Sequence, residues 1–140
     1  MGDYAIRMQF DIASDPATVR KALETQDGIS AWWSNRATLD DEALRVSFPD
    51  VPQPFAFDVR DGDDRLDWVT GGFPPWWQGT TISFEVAPNP DAAGSRLQFT
   101  HGGYDADNPV IPIVTPAWAQ ILLRLKAYAE TGDRQPFFDF

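Results

Sequence analysis

The chain contains no cysteine and one histidine, His101. Without thiols it can form neither a disulfide nor a thiolate metal site, and a single imidazole excludes a His-rich zinc centre. Cations are also scarce: 11 Lys and Arg stand against 21 Asp and Glu, a net charge of −10. Nucleic-acid binding needs clustered cations to displace counterions, and none cluster here. An anionic membrane surface is disfavoured for the same reason. No stretch approaches the roughly 20 apolar residues of a membrane helix. The opening MGDYAIRMQF lacks an apolar run of signal-peptide length. The expectation is a soluble cytoplasmic protein whose acidity serves solubility.

Aromatic residues are abundant instead, with 6 Trp and 10 Phe among 140 residues. Such stiff side chains can line a cavity as well as fill a core. At 43% hydrophobic content this length makes one globular domain, residues 1–140, with no repeat, low-complexity segment or internal boundary.

The clearest element is Thr115 to Gly132. Trp118, Ile121, Leu122, Leu125, Tyr128 and Ala129 recur at steps of three and four, the stripe of an amphipathic helix. Thr115 is its expected N-cap, Pro116 its first residue and Gly132 its stop. Leu123 falls off this stripe and is a candidate for a dimer patch. At the other end, Tyr4 to Ala13 alternates with Tyr4, Ile6, Met8, Phe10 and Ile12 on one side, a strand with one buried face. Ser14-Asp15-Pro16 then opens a helix that Gly28 ends, and a short turn of helix from Ile29 to Trp33 follows. Between Arg36 and Gly103 short alternating strands succeed one another: Leu44 to Phe48, Phe55 to Arg60, Arg65 to Thr70, Thr81 to Ala87 and Ser95 to His101. Asp61 to Asp64 is a hairpin turn, and Phe73 to Trp77 is a loop because two prolines forbid a ladder. The fold class is α+β: a curved antiparallel sheet of about six or seven strands, two short helices after the first, and a long C-terminal helix on one face.

Several residues carry a family likeness: Asp15-Pro16-Ala17, Trp32-Trp33, Gly79 to Phe84, Leu97 to His101, and Trp118, Leu125, Lys126, Tyr128 and Gly132 in the last helix. In this order they resemble the START-like (SRPBCC) superfamily, and within it the group related to the C-terminal domain of the activator of Hsp90 ATPase. The resemblance spans almost the whole chain. It implies the helix-grip fold, with a cavity between sheet and helix. Members of that superfamily bind hydrophobic small molecules or lipids, or cyclise polyketides. The eukaryotic activator carries an additional N-terminal domain that is not part of this resemblance.

Few groups can do chemistry. His101 is the one ordinary acid–base candidate near neutral pH, and strand phase turns it inward with Leu97 and Phe99. No carboxylate is expected on the inner face, no Ser lies in a Gly-x-Ser-x-Gly turn, and Asp61, Asp63 and Asp64 lack the spacing of a calcium loop. A non-catalytic module is therefore expected, holding a hydrophobic or aromatic small molecule or lipid between sheet and helix. Trp33, Phe57, Trp68, Phe84, Phe99, Trp118 and Leu122 would supply burial and stacking, and His101 one polar anchor. That role calls for a cavity above roughly 300 Å3. No metal or cofactor is implied. Two alternatives stand beside it: a cyclase- or hydrolase-type enzyme using His101 with Tyr104 or Thr70, and an interaction module, either an Hsp90 cochaperone or a homodimer. Trp76-Trp77 is a lid, a partner patch, or a loop folded back over the sheet edge.

Overall fold

The computed structural model describes residues 2–140. Strand β1 (Tyr4–Ile12) leads to helices α1 (Pro16–Glu24) and α2 (Gln26–Trp32). Strands β2 (Ala37–Leu39), β3 (Leu44–Val46), β4 (Phe55–Asp61) and β5 (Arg65–Thr70) follow, and then a single 3-10 turn (Pro75–Trp77). Strands β6 (Thr81–Pro88) and β7 (Ser95–Tyr104) precede the long helix α3 (Ile111–Thr131). The seven strands form one antiparallel sheet in the order β1-β7-β6-β5-β4-β3-β2. Sequence neighbours pair throughout, apart from β1, which joins β7. This is the expected helix-grip architecture, and the strand that alternation alone did not mark is the three-residue β2.

Alternation decides which face each strand buries. Ile6 and Ile12, Leu44 and Val46, Phe55 and Phe57, Leu66 and Trp68, Ile82 and Phe84, and Leu97, Phe99 and His101 all turn inward toward α3. The other face carries paired charges. Arg96 bonds Asp11 at 3.0 Å on the adjoining strand, and Arg65 bonds Asp67 at 2.7 Å. Such exposed pairs contribute little stability each.

The helix boundaries depart from the sequence expectation at two points. Asp15 does cap α1, accepting the Thr18 N–H at 2.7 Å. Gly28, however, does not end it. Thr25 separates the two helices and caps α2 through the Gly28 N–H. Gly28 lies inside α2 because a Cβ there would come within 2.6 Å of the Ala22 carbonyl oxygen. Likewise α3 begins at Ile111 rather than after Thr115. Asn108 Oδ1 holds the Val110 N–H at 2.9 Å, and Pro112 occupies the first turn, where its missing N–H costs nothing. Thr115 is interior, its hydroxyl donating back to the Ile111 carbonyl at 2.6 Å. Pro116 is thus a proline one turn into a helix, tolerated on the exposed side. The end is as expected: Gly132 takes a left-handed conformation (φ 79°) and its N–H closes on the Tyr128 carbonyl.

Past Gly132 the chain turns back along α2. Phe137 and Phe138 donate their N–H groups to the carbonyls of Trp32 and Trp33 at 3.1 and 2.9 Å, and Asn35 N–H bonds the Phe138 carbonyl. Phe138 lands edge-on against Phe48, ring centres 4.8 Å apart. Among the described residues no helix is long and apolar enough to cross a membrane.

Candidate functional site

The region where sheet meets helix is filled by aromatic rings. Trp33, from the end of α2, lies parallel to Trp68 of β5, with centres 5.7 Å apart and planes within 2°. Trp32 stacks on the same pair, and its Nε1 donates to the Ala22 carbonyl at 2.9 Å. Phe84 meets Trp68 at 4.8 Å, and Phe99 meets Trp118 of α3 at 4.8 Å. Trp32, Trp33, Phe57, Trp68, Phe84, Phe99, Trp118 and Leu122 are all at most 1% exposed. Complete burial of such side chains stabilises the fold by about 2–3 kcal/mol each. These rings therefore act first as core.

A hollow of about 260 Å3 remains at one end of this core, open to solvent. Its walls come from six places: the first half of α3 (Val114, Ala117, Trp118, Ile121), the segment after β3 (Phe48, Pro49, Val51), the proline-led turn (Trp76, Trp77), the end of α2 (Trp33), β4 (Phe55) and the C-terminal tail (Phe138). None of these side chains is charged. Trp76, 46% exposed, stands at the mouth, while Trp77 is buried behind it, the two rings edge to face at 5.2 Å. The volume falls below the roughly 300 Å3 expected of a ligand cavity. Larger hollows of about 590 and 410 Å3 lie elsewhere, the first lined by the polar outer-face residues Arg7, Gln9, Arg65, Glu85, Gln98 and Thr100.

Of the residues picked out in sequence, Trp33 and Trp118 border the apolar hollow. Phe57, Trp68, Phe84, Phe99 and Leu122 pack behind it, and His101 does not reach it. Other wall residues carried a readable signal. The steps Ile111, Val114, Trp118, Ile121 continue the helical stripe upstream, and the pair Phe137-Phe138 in a polar tail calls for an apolar surface. Phe48 and Val51 had no comparable mark, because their place depends on how the chain leaves β3.

His101 lies fully buried on β7, opposite Ile82 on one side and Ile6 on the other. Its bonding fixes its tautomer. The Trp118 indole can only donate, and its Nε1 meets His101 Nδ1 at 3.1 Å, so Nδ1 accepts. The proton is therefore on Nε2, which donates to Thr80 Oγ1 at 3.0 Å. Thr80 in turn donates to the Trp77 carbonyl at 2.6 Å and accepts from the Thr70 hydroxyl at 3.1 Å. Tyr104 Oη lies 3.2 Å from Nδ1. Burial pushes the His101 pKa down to about 3 and raises that of the Tyr104 phenol well above its ordinary value. The imidazole is thus a neutral, satisfied hub, bonded by Thr80, Trp118 and Tyr104. It meets two of the tryptophans that wall the hollow: Trp118 by hydrogen bond, and Trp77 edge-on at 4.7 Å. Those two rings stack on each other with planes 10° apart. Trp77 Nε1 is the one buried side-chain polar atom without a hydrogen bond among the described residues.

No protein-family model and no curated protein matches the sequence. Solved structures do match the fold. The solution structure of the Aha1 dimer from Colwellia psychrerythraea superposes with a TM-score of 0.79 at 25% identity, covering 92% of this chain and 98% of that one. SSP2350 from Staphylococcus saprophyticus gives 0.74 at 14% identity, covering 97% and 98%. DynU16, a protein of the dynemicin biosynthetic locus, gives 0.72 at 15% identity, covering 99% of this chain and 51% of that one. The chain therefore has the helix-grip fold of Aha1-like proteins.

Proposed function

We propose that the chain binds a compact apolar molecule, about the size of one or two fused aromatic rings, in the hollow between α3, the Trp76-Trp77 turn and Phe138. The observation that carries this reading is the wall itself: an uncharged hollow of about 260 Å3, formed largely by aromatic rings and open beside a half-exposed tryptophan. Roughly 150 Å3 is enough to admit benzene, so this volume suits a naphthalene-sized ring system better than a lipid acyl chain. Trp33 and Trp118 would stack against the guest, and Trp76 would close over it. Burying about 150 Å2 of apolar guest surface at roughly 25 cal/mol per Å2 yields about 4 kcal/mol. Affinity is accordingly expected to be about millimolar.

The test is a titration with 2-naphthol, followed by tryptophan quenching and calorimetry, with oleate as the lipid comparison. Saturable 2-naphthol binding that Ala117→Phe abolishes is expected, since the new ring fills the hollow. Absence of saturable binding, or binding indifferent to Ala117→Phe, overturns the proposal.

An interaction role is the second reading, and one observation favours it: the Aha1 structure that this fold matches end to end is that of a dimer. Sedimentation of the purified chain tests self-association, and a direct binding assay with purified Hsp90 tests the cochaperone alternative. For an enzymatic role, substrate would have to reach a His101 that lies behind Trp77 and Trp118.

A further inference from the structure

The wall of the apolar hollow holds four tryptophans, Trp33, Trp76, Trp77 and Trp118, and no other side chain with a polar atom. An indole has a single polar atom, a nitrogen that donates and cannot accept. The side chains of the wall therefore offer hydrogen-bond donors only. Trp118 spends its donor on His101 Nδ1 at 3.1 Å. Trp76 is half-exposed, so solvent can serve its N–H. Trp77 is 4% exposed, and its Nε1 is buried without an acceptor.

The surroundings of Trp77 cannot supply what it lacks. It meets the His101 ring edge-on at 4.7 Å. The Nδ1 of that ring has one lone pair, and two donors already face it, Trp118 Nε1 at 3.1 Å and Tyr104 Oη at 3.2 Å. The other ring nitrogen carries the proton and is taken by Thr80. The Tyr104 phenol is close enough to the Trp77 N–H to be influenced by it, yet the two fall short of bonding geometry. Three donors thus meet one imidazole lone pair and one phenol oxygen, and the arrangement satisfies Trp118 while leaving Trp77 short. A buried donor left unpaired costs free energy that an incoming acceptor recovers. The hollow, open to solvent on the other side, is the route for one.

We propose that the guest of this hollow is a neutral aromatic molecule with a hydrogen-bond acceptor at its inner end, a ring nitrogen or an oxygen without a hydrogen, which takes the Trp77 N–H. The proposal rests on the reading of the hollow as the binding site and adds the polarity of the guest to it. No charged side chain lies in the wall, so an anionic acceptor would be buried without a countercharge and is disfavoured. A guest whose polar group only donates is disfavoured as well. No side chain of the wall can receive its hydrogen, and that donor would give up its bond to water unless it faced the mouth.

Quinoline and indole make the comparison. Both are fused two-ring molecules of similar size, uncharged at neutral pH; quinoline accepts a hydrogen bond and indole donates one. Calorimetric titration of the full chain should show quinoline binding about tenfold tighter than indole, the size of one net hydrogen bond. Equal affinities, or a tighter indole, overturn the proposal and leave the hollow standing as a site. Saturable binding of neither guest overturns the proposal together with that reading. Trp77→Phe keeps an aromatic ring and deletes the N–H, so it should bring quinoline down toward indole. An undiminished preference for quinoline in this variant also overturns the proposal. Nuclear magnetic resonance of the unmodified chain gives an answer that does not depend on the variant folding. Among the indole N–H signals, that of Trp77 should move downfield on saturation with quinoline and not with indole. A Trp77 signal that both guests move alike, or that neither moves, overturns the proposal.

Discussion

Trp118 Nε1 donates to His101 Nδ1 across 3.1 Å, from α3 to β7, inside a core that excludes water. One bond thereby ties the gripped helix to the sheet and sets the imidazole tautomer. A donor that cannot accept, facing a ring with one proton to place, leaves a single arrangement.

Replacing His101 with Leu should therefore cost more than lost packing. The Trp118 N–H loses its acceptor and Thr80 loses its donor, and a buried polar group left unpaired costs about 1–3 kcal/mol. A destabilisation on the order of 3 kcal/mol is expected from urea unfolding. His101→Gln, whose amide can both accept and donate, should recover a good part of it. Equal losses in the two variants would show that the bonds are unimportant and that only ring volume matters.

The same burial makes stability depend on pH. The folded His101 pKa lies near 3, against about 6.5 in the unfolded chain. Above pH 6.5 both states are neutral and stability is full. Below it the unfolded state takes up a proton that the folded state refuses, so stability falls until about pH 3. Between about pH 6.5 and 4.5, above the ordinary carboxylate range, the loss should be about 2–3 kcal/mol. His101→Gln should remove that slope. A wild-type stability that stays flat through this window would contradict a neutral buried imidazole.

Glycine to alanine within a helix normally stabilises by about 1 kcal/mol. Gly28→Ala should do the opposite. Its Cβ would approach the Ala22 carbonyl oxygen to 2.6 Å and the Ala22 Cα to 2.8 Å, backbone atoms that cannot swing aside. A lower melting temperature and a separation of α1 from α2 are expected, and an increase in melting temperature would refute the contact.

Phe138→Ala probes the returning tail. The ring gives up its contact with Phe48 and one wall of the hollow, while the backbone bonds to Trp33 and Asn35 remain. For a partly buried phenylalanine, about half the usual 3–5 kcal/mol for a core site is expected, roughly 2 kcal/mol. Binding of 2-naphthol should weaken severalfold. Unchanged stability and unchanged binding together would mean that the tail is a passenger.

Much of this protein is readable from residue order. Alternation from Ile6 to Ile12 and from Ser95 to His101 places the inward side chains correctly, because a buried sheet face imposes a period of two whatever the fold; Tyr4, read as inward with them, is 41% exposed, beyond a register shift between Tyr4 and Ala5. The stripe from Trp118 to Ala129 does the same for the helix. Local capping was less secure. Thr115-Pro116 has the form of a helix start, yet the helix runs through it, since Ile111 and Val114 gain more by packing upstream than Pro116 loses by lacking an N–H. Gly28 has the form of a stop, and it is instead the space through which α1 and α2 touch.

The sequence by itself determined the elements, the inward faces and the aromatic character of the interior, because those follow from periodicity and side-chain chemistry along one strand or helix. Tertiary structure alone decided which rings would be core and which would be wall. Phe57, Trp68, Phe84 and Phe99 share an inward face with equal right to a cavity, but Trp33 arrives from α2 and fills the space above them. The remaining hollow is displaced to Phe48, Trp76 and Phe138, residues far apart in the chain. Whether an inward ring meets a void or another ring depends on volumes summed over distant segments, and no local pattern carries that sum.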